Sequence, residues 1–206
     1  MYTIAGHDTT AHTAAWALFC LATEPHAQNQ LQIELDAAFG PPRAAAQSPP
    51  LTAENVAALP VLGAVISESM RLFPVAAVGV VRVAPCDTLL PGGWLVRKGE
   101  AVRCGGFPAF CGEFEGGFKK PREFRLERWL PGAPPIPECW APFASGPRGC
   151  AGQALAALQL RVIVSRLAHR FAVAFPEGAP PVEPVNGLTL HAKDGMHLVL
   201  TPRCER

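Results

Sequence analysis

The sequence is poor in charge. Asp, Glu, Lys and Arg make up 17% of its 206 residues, and 18 basic against 17 acidic side chains leave a formal net charge of +1. So balanced a chain carries no electrostatic footprint for nucleic acid, and no nucleic-acid partner is expected. Long apolar runs are also missing. The best, Thr13 to Ala22, falls well short of the roughly 18–20 residues that span a bilayer and reads as a buried helix. No Cys-x-x-Cys spacing occurs. The seven cysteines, Cys20, Cys86, Cys104, Cys111, Cys139, Cys150 and Cys204, are odd in number, which argues against a disulfide framework and for reduced thiols. Six histidines show no zinc-type pairing with them. There is no internal repeat. What the chain does have is 49% hydrophobic residues, ample for one sizeable core. Its 22 prolines and 19 glycines stay below the share that marks low complexity.

The apolar periodicity predicts a mainly α chain with minor β. Thr3 to Thr23 reads as a largely buried helix, with Ala11, Ala14, Ala15, Leu18, Phe19 and Leu21 leaving few polar faces. The helical pattern begins at once, so the chain is expected to be the C-terminal piece of something larger. Pro25 suits the first turn of a second helix, running to about Phe39 and stopped by Gly40. Residues 41–50 read as loop, and Thr52 as the cap of a short helix. Val61 to Phe73 is predicted helical on the stripe Leu62, Ile66, Met70 and Phe73, ended by Pro74. Val78, Val80, Val81 and Val83 favour strand, and Pro91-Gly92-Gly93 marks a turn. Leu95-Val96 and Ala101-Val102, on either side of Lys98-Gly99, suggest a hairpin. Residues 104–118 show no period, and 119–142 read as coil. Ala151 to about Arg170 is predicted to be a second buried helix on Leu155, Leu158, Val162 and Leu167. The tail reads as short strands and turns.

The most informative segment is Phe143-Ala144-Ser145-Gly146-Pro147-Arg148-Gly149-Cys150-Ala151-Gly152. A lone cysteine is most often a small buried hydrophobe. This one sits in a Gly/Pro loop just before an apolar helix, and its neighbours have the chemistry to hold a haem iron by a thiolate. Gly146 permits a tight turn. Amides at the helix start favour the sulfur anion. Arg148 can reach a haem carboxylate, Phe143 can shield the sulfur, and Gly152 lets the helix start close to the porphyrin. The pattern F-x-x-G-x-R-x-C-x-G resembles the haem-binding loop of the cytochrome P-450 monooxygenases, whose thiolate favours O–O cleavage.

Three further matches follow in the order of that family. Ala5-Gly6-His7-Asp8-Thr9-Thr10 is similar to its oxygen-activation stretch. The resemblance makes Thr9 a proton relay and Asp8 the upstream acid; read alone, both are ordinary residues of a helical N-terminal turn. Glu68-Ser69-Met70-Arg71 resembles the family's E-x-x-R helix. On spacing alone it is an i, i+3 pair off the apolar stripe, of the kind usually left solvated. Pro121 to Trp129 resembles the P-E-R-F segment, with Leu126 where proline is usual. The resemblance implies a structural triad of Glu68, Arg71 and Arg128. Arg82 stands where members often bind a haem propionate; a solvated strand arginine is the other reading. Val75 to Val80 and residues near Leu188–Leu190 would line the substrate cavity. The stretch Cys104 to Phe118 lacks the His-Arg-Asp-Pro-like segment of the family.

The resemblance thus implies residues 1–206 as the C-terminal portion of one cytochrome P-450 domain, without its N-terminal half. It implies haem b (iron protoporphyrin IX), with electrons passed from NADPH by a reductase. A small hydrophobic organic substrate, with a lipid-like one among the candidates, would be oxygenated. Full-length eukaryotic relatives are typically anchored in the endoplasmic reticulum membrane, so a membrane enters only through an N-terminal anchor. Two other readings stand beside monooxygenase: a haem-thiolate isomerase of lipid peroxides, and a truncated, non-enzymatic fragment.

Overall fold

The computed structural model describes residues 2–42 and 52–203. Residues 43–50 of the expected loop and Cys204 lie outside them. The core grows from three helices that share apolar faces. α1 (Tyr2–Thr23) turns Ala14, Ala17 and Leu21 inward, and the two alanines allow close approach. α4 (Pro60–Leu72) offers Leu62, Val65 and Ile66. α6 (Gln153–Arg170) offers Leu160, Val164 and Ala168, spaced by four so that they stack on one face. Full burial of each such large aliphatic side chain contributes about 1.5–3 kcal/mol.

α2 (Pro25–Phe39) lays Ala27, Leu31, Leu35 and Phe39 on the same core. Pro25 opens it, where a missing N–H costs nothing. Gly40, at φ 77, ends it with its N–H on the Asp36 carbonyl. α2 also caps α4: the Glu34 carboxylate accepts from the Val61 and Leu62 amides at 2.7 and 2.9 Å. These are N-terminal groups with no partner inside their own helix. Between them α3 (Ala53–Ala57) is capped by Thr52, with Asn55 closing a capping box. α5 (Gly106–Cys111) is a short helix inside the stretch that showed no period.

Among the described residues the β structure is four separate antiparallel ribbons of two strands. β1 (Val81–Val83) pairs with β4 (Ala101–Arg103), and β2 (Thr88–Leu90) with β3 (Trp94–Val96). β5 (Phe171–Ala174) pairs with β8 (Val199–Pro202), and β6 (Pro184–Asn186) with β7 (Leu190–Ala192). The expected hairpin around Lys98-Gly99 does not form. The tight turn is Pro91-Gly92-Gly93, with both glycines at positive φ, so β3 folds back on β2 and β4 runs on to β1. Val78 and Val80 lie outside any strand, the first in the turn that follows α4 and the second in irregular chain before β1. Two other expectations fail on burial. Leu155 is 62% exposed, because the apolar side chains of α6 meet the core only from Leu158 onward. Met70 is half-buried, while Glu68 and Arg71, expected off the buried stripe, are fully enclosed.

Candidate functional site

The loop before α6 is built to hold one side chain outward. The Cys150 amide donates to the Phe143 carbonyl at 2.9 Å, closing the loop on itself. Gly146 supports the bend at φ 70, and Ala144, a residue with a Cβ, also takes positive φ, at 56. The Cys150 thiol is free and exposed at the foot of α6. Gly152 is the N-cap of that helix, and a Cβ there would lie 3.9 Å from the Cys150 sulfur. Arg148 is exposed and forms no ion pair among the described residues. Arg82 lies on β1, exposed, and among the described residues it donates only to the adjacent Val81 carbonyl, at 3.2 Å.

Behind the loop lies a buried ionic hub. The Glu68 carboxylate accepts five hydrogen bonds. Arg71 Nε and Nη2 donate at 2.8 and 2.9 Å, and Arg128 Nε at 3.2 Å. The Arg125 amide and the Trp129 indole each donate at 2.8 Å. Arg71 spends its other protons on backbone carbonyls of Phe110, Pro121 and Glu123. Arg128 donates to those of Lys119 and Lys120 at 2.6 and 2.8 Å. Both guanidinium groups lie over the Phe118 ring, with centroid distances of 5.3 and 5.9 Å. The structure therefore brings Glu68, Arg71 and Arg128 together. It adds Trp129 and the Arg125 amide, which sequence reasoning missed. The hub reaches the loop through aromatic packing: Trp129 meets Trp140 at 4.9 Å, and Trp140 lies three residues before Phe143.

At the start of α1 the Thr9 hydroxyl donates to the Ala5 carbonyl at 2.7 Å, and the Thr13 hydroxyl to the Thr9 carbonyl at 2.7 Å. Such bonds compete for carbonyls with the helix's own ladder and loosen it locally. The Asp8 carboxylate meets His7 Nδ1 at 2.8 Å, in solvent. Thr10 is buried, and its hydroxyl is the one enclosed side-chain oxygen or nitrogen among the described residues without a partner. A Cβ at Gly6 would meet nothing within 4 Å, so α1 presents open space there. His12 is half-buried: it meets the Thr189 hydroxyl at 2.9 Å and stacks on His191 at 5.7 Å. Together with the Trp16 indole, which donates to the Leu190 carbonyl at 3.0 Å, it clasps the β6–β7 ribbon to α1. Leu188, at the tip of that ribbon, is 86% exposed.

Whether these residues fit a haem is a matter of donors and space. An exposed thiol offers a soft ligand for iron. Two exposed arginines free of carboxylates, Arg148 and Arg82, suit propionates. Gly6 leaves the room that a flat ring needs beside a helix. The donor set fits. Among the described residues no group of three or more His, Cys, Asp and Glu side chains could hold a metal ion by itself, and no helix is long and apolar enough to cross a membrane.

Comparison with known proteins agrees with this chemistry. The family described as Cytochrome P-450 matches residues 2–199. Human mitochondrial 25-hydroxyvitamin D-1 alpha hydroxylase is 33% identical over 201 residues, which cover 97% of this chain and 38% of that protein. Steroid 21-hydroxylase of Sus scrofa is 35% identical over 202 residues, with the same coverage of 97% and 38%. Among solved structures, a zebra fish cytochrome P-450 with progesterone superposes with a TM-score of 0.82 at 32% identity, covering 98% of this chain and 44% of that one. The chain thus spans about two fifths of the length of the curated relatives it matches.

Proposed function

This chain belongs to the cytochrome P-450 family, and on that premise we propose that it is the haem-binding portion of a haem-thiolate monooxygenase. The observation that carries the reading is the Cys150 loop: a free, exposed thiol, its amide locked to the Phe143 carbonyl. Cys150 would bind the iron, Arg148 and Arg82 the propionates, and Gly146 and Gly152 would keep the loop and the α6 foot close to the ring. When bound, the haem supplies the redox chemistry that inserts one atom of O2 into an organic substrate and releases the other as water, with NADPH electrons passed by a reductase. The chain's own residues would do the rest. Thr9 would hold a proton at its hydroxyl and Asp8 would supply it from solvent; their half-exposed positions at the start of α1 support this. The hub of Glu68, Arg71 and Arg128 would fix the loop's surroundings.

The names of two relatives, hydroxylases of 25-hydroxyvitamin D and of steroids, support a hydrophobic organic substrate. The test is spectroscopic. The chain, supplied with haem, reduced and exposed to carbon monoxide, should show the red-shifted Soret band of thiolate ligation. Cys150→His should lose that band, while replacement of Cys86 or Cys104 should leave it. A Cys150→Ser variant that keeps the thiolate spectrum would end the assignment.

A further inference from the structure

Between α4, α6 and the segment leading to Cys150 lies a hollow of about 390 Å³. That is at the small end of ligand pockets, which run from about 300 to 1,000 Å³. Its walls include Ile66, Met70, Trp140 and Phe143, and none of the residues that line it is acidic. One is a cation. Arg161, on α6, spends Nη1 on the carbonyls of Val56 and Leu59 at 2.9 and 3.3 Å. It forms no ion pair among the described residues. The carboxylate that acts on it, Glu34, has both oxygens committed to the Val61 and Leu62 amides. Its Nη2 edge abuts Gly63, where a Cβ would come within 2.8 Å. The absence of a side chain at Gly63 leaves room for the guanidinium, which borders this hollow and a neighbouring one lined by Leu59, Pro60 and Trp129. A half-buried charge beside an apolar wall is costly unless an anion meets it.

We propose that this hollow is a binding site for an amphipathic monocarboxylate of medium chain length. Its carboxylate is held by Arg161 and its alkyl chain by Ile66, Met70, Trp140 and Phe143. The site lies apart from the Cys150 sulfur and does not depend on haem. Its occupant packs against Phe143, whose carbonyl anchors the Cys150 amide, so binding is felt at that thiol.

The probe is decanoate, below its micelle concentration, titrated calorimetrically into the 206-residue chain, with decanol as its neutral counterpart. Decanoate should bind at one site at least ten-fold more tightly than decanol. Ala157→Phe, which fills the hollow from α6 and leaves Arg161 in place, should abolish binding. Arg161→Gln should weaken decanoate at least ten-fold and leave decanol unchanged. In a background with Cys86, Cys104, Cys139 and Cys204 replaced by serine, saturating decanoate should slow alkylation of Cys150 at least three-fold. Equal binding of acid and alcohol, or decanoate binding that survives Ala157→Phe, overturns the site. Self-association of the chain that Ala157→Phe abolishes would assign the hollow to a second copy and overturn it equally. An unchanged alkylation rate at saturation overturns the link to the loop.

Discussion

Glu68→Gln is the sharpest test of how the interior behind the cysteine loop is held. The substitution keeps volume and shape and removes one charge. Oε1 accepts three hydrogen bonds and Oε2 accepts two. A glutamine has one acceptor oxygen and one NH2 group, so whichever way it turns, at least two donors face other donors. Arg71, with no exposed surface, would also keep its charge with no anion beside it. Breaking a buried pair from one side costs about 3–5 kcal/mol. Against a typical domain stability of about 5–15 kcal/mol, that is a large share. With a urea slope of about 2 kcal/mol/M, the midpoint should fall by about 2 M. Urea unfolding followed by tryptophan fluorescence reads it directly, since Trp129 and Trp140 sit at the hub and beside the loop. A double-mutant cycle with Arg128→Leu sharpens the result. Once Glu68 is neutral, the two guanidinium groups repel, so losing Arg128 should cost at least 1 kcal/mol less than it does in the parent. A Glu68→Gln cost under about 1 kcal/mol, or strict additivity in the cycle, would refute the reading of this cluster as a charge-balanced hub.

Three further outcomes are expected. Burial pushes the Cys20 thiol from 9.0 up to about 12. The unfolded chain therefore releases that proton first, and stability, fully present below pH 9, should decline between pH 9 and 12 by up to about 1.4 kcal/mol per pH unit; Cys20→Ala should flatten this arm in pH-dependent denaturation, and an unchanged slope would remove Cys20 as its source. Ala144 holds a left-handed conformation at φ 56, which costs an L-residue about 1–2 kcal/mol; Ala144→Gly should therefore stabilise by about 0.5–1 kcal/mol after the entropy that glycine adds to the unfolded chain, and Ala144→Val should destabilise, so reversed signs in thermal melts would contradict the strain. In a haem-loaded protein supplied with electrons, Thr9→Ala should retain substrate binding but divert reducing equivalents to peroxide, and an unchanged ratio of product to NADPH consumed would remove Thr9 from proton delivery.

The helices were legible wherever the backbone's needs are written in residue types. Pro25, Gly40 and Thr52 mark boundaries because a missing N–H, a positive φ and a capping oxygen each belong to particular side chains. Strand pairing was not legible in the same way. β3 and β4 lie close in sequence, but each satisfies its ladder with an earlier strand. The choice was decided by two consecutive glycines that turn the chain at Gly92-Gly93, rather than by Lys98-Gly99. Leu155 misled because helical periodicity identifies an apolar face without saying how far along the helix the neighbours extend.

The hub shows the deeper reason why a site is only half readable. Glu68 and Arg71 stand off the apolar stripe of α4, and by that rule they belong in solvent. They are buried because another segment comes to them. Residues 110–129 bring Arg128, Trp129, the Phe118 ring and a set of backbone carbonyls over that face of the helix. The donors have names in a sequence; the carbonyls that satisfy them do not, because every residue carries one. A segment with no period reads as coil for the same reason that it serves here. Outside helix and sheet ladders, or in the last turn of α5, its carbonyls are available to two arginines, and five of them are used. Irregular chain beside a charged pair on a helix is therefore a place to look for buried ionic structure. In this protein it packs, through Trp129 on Trp140, against the segment that leads into the loop that carries Cys150.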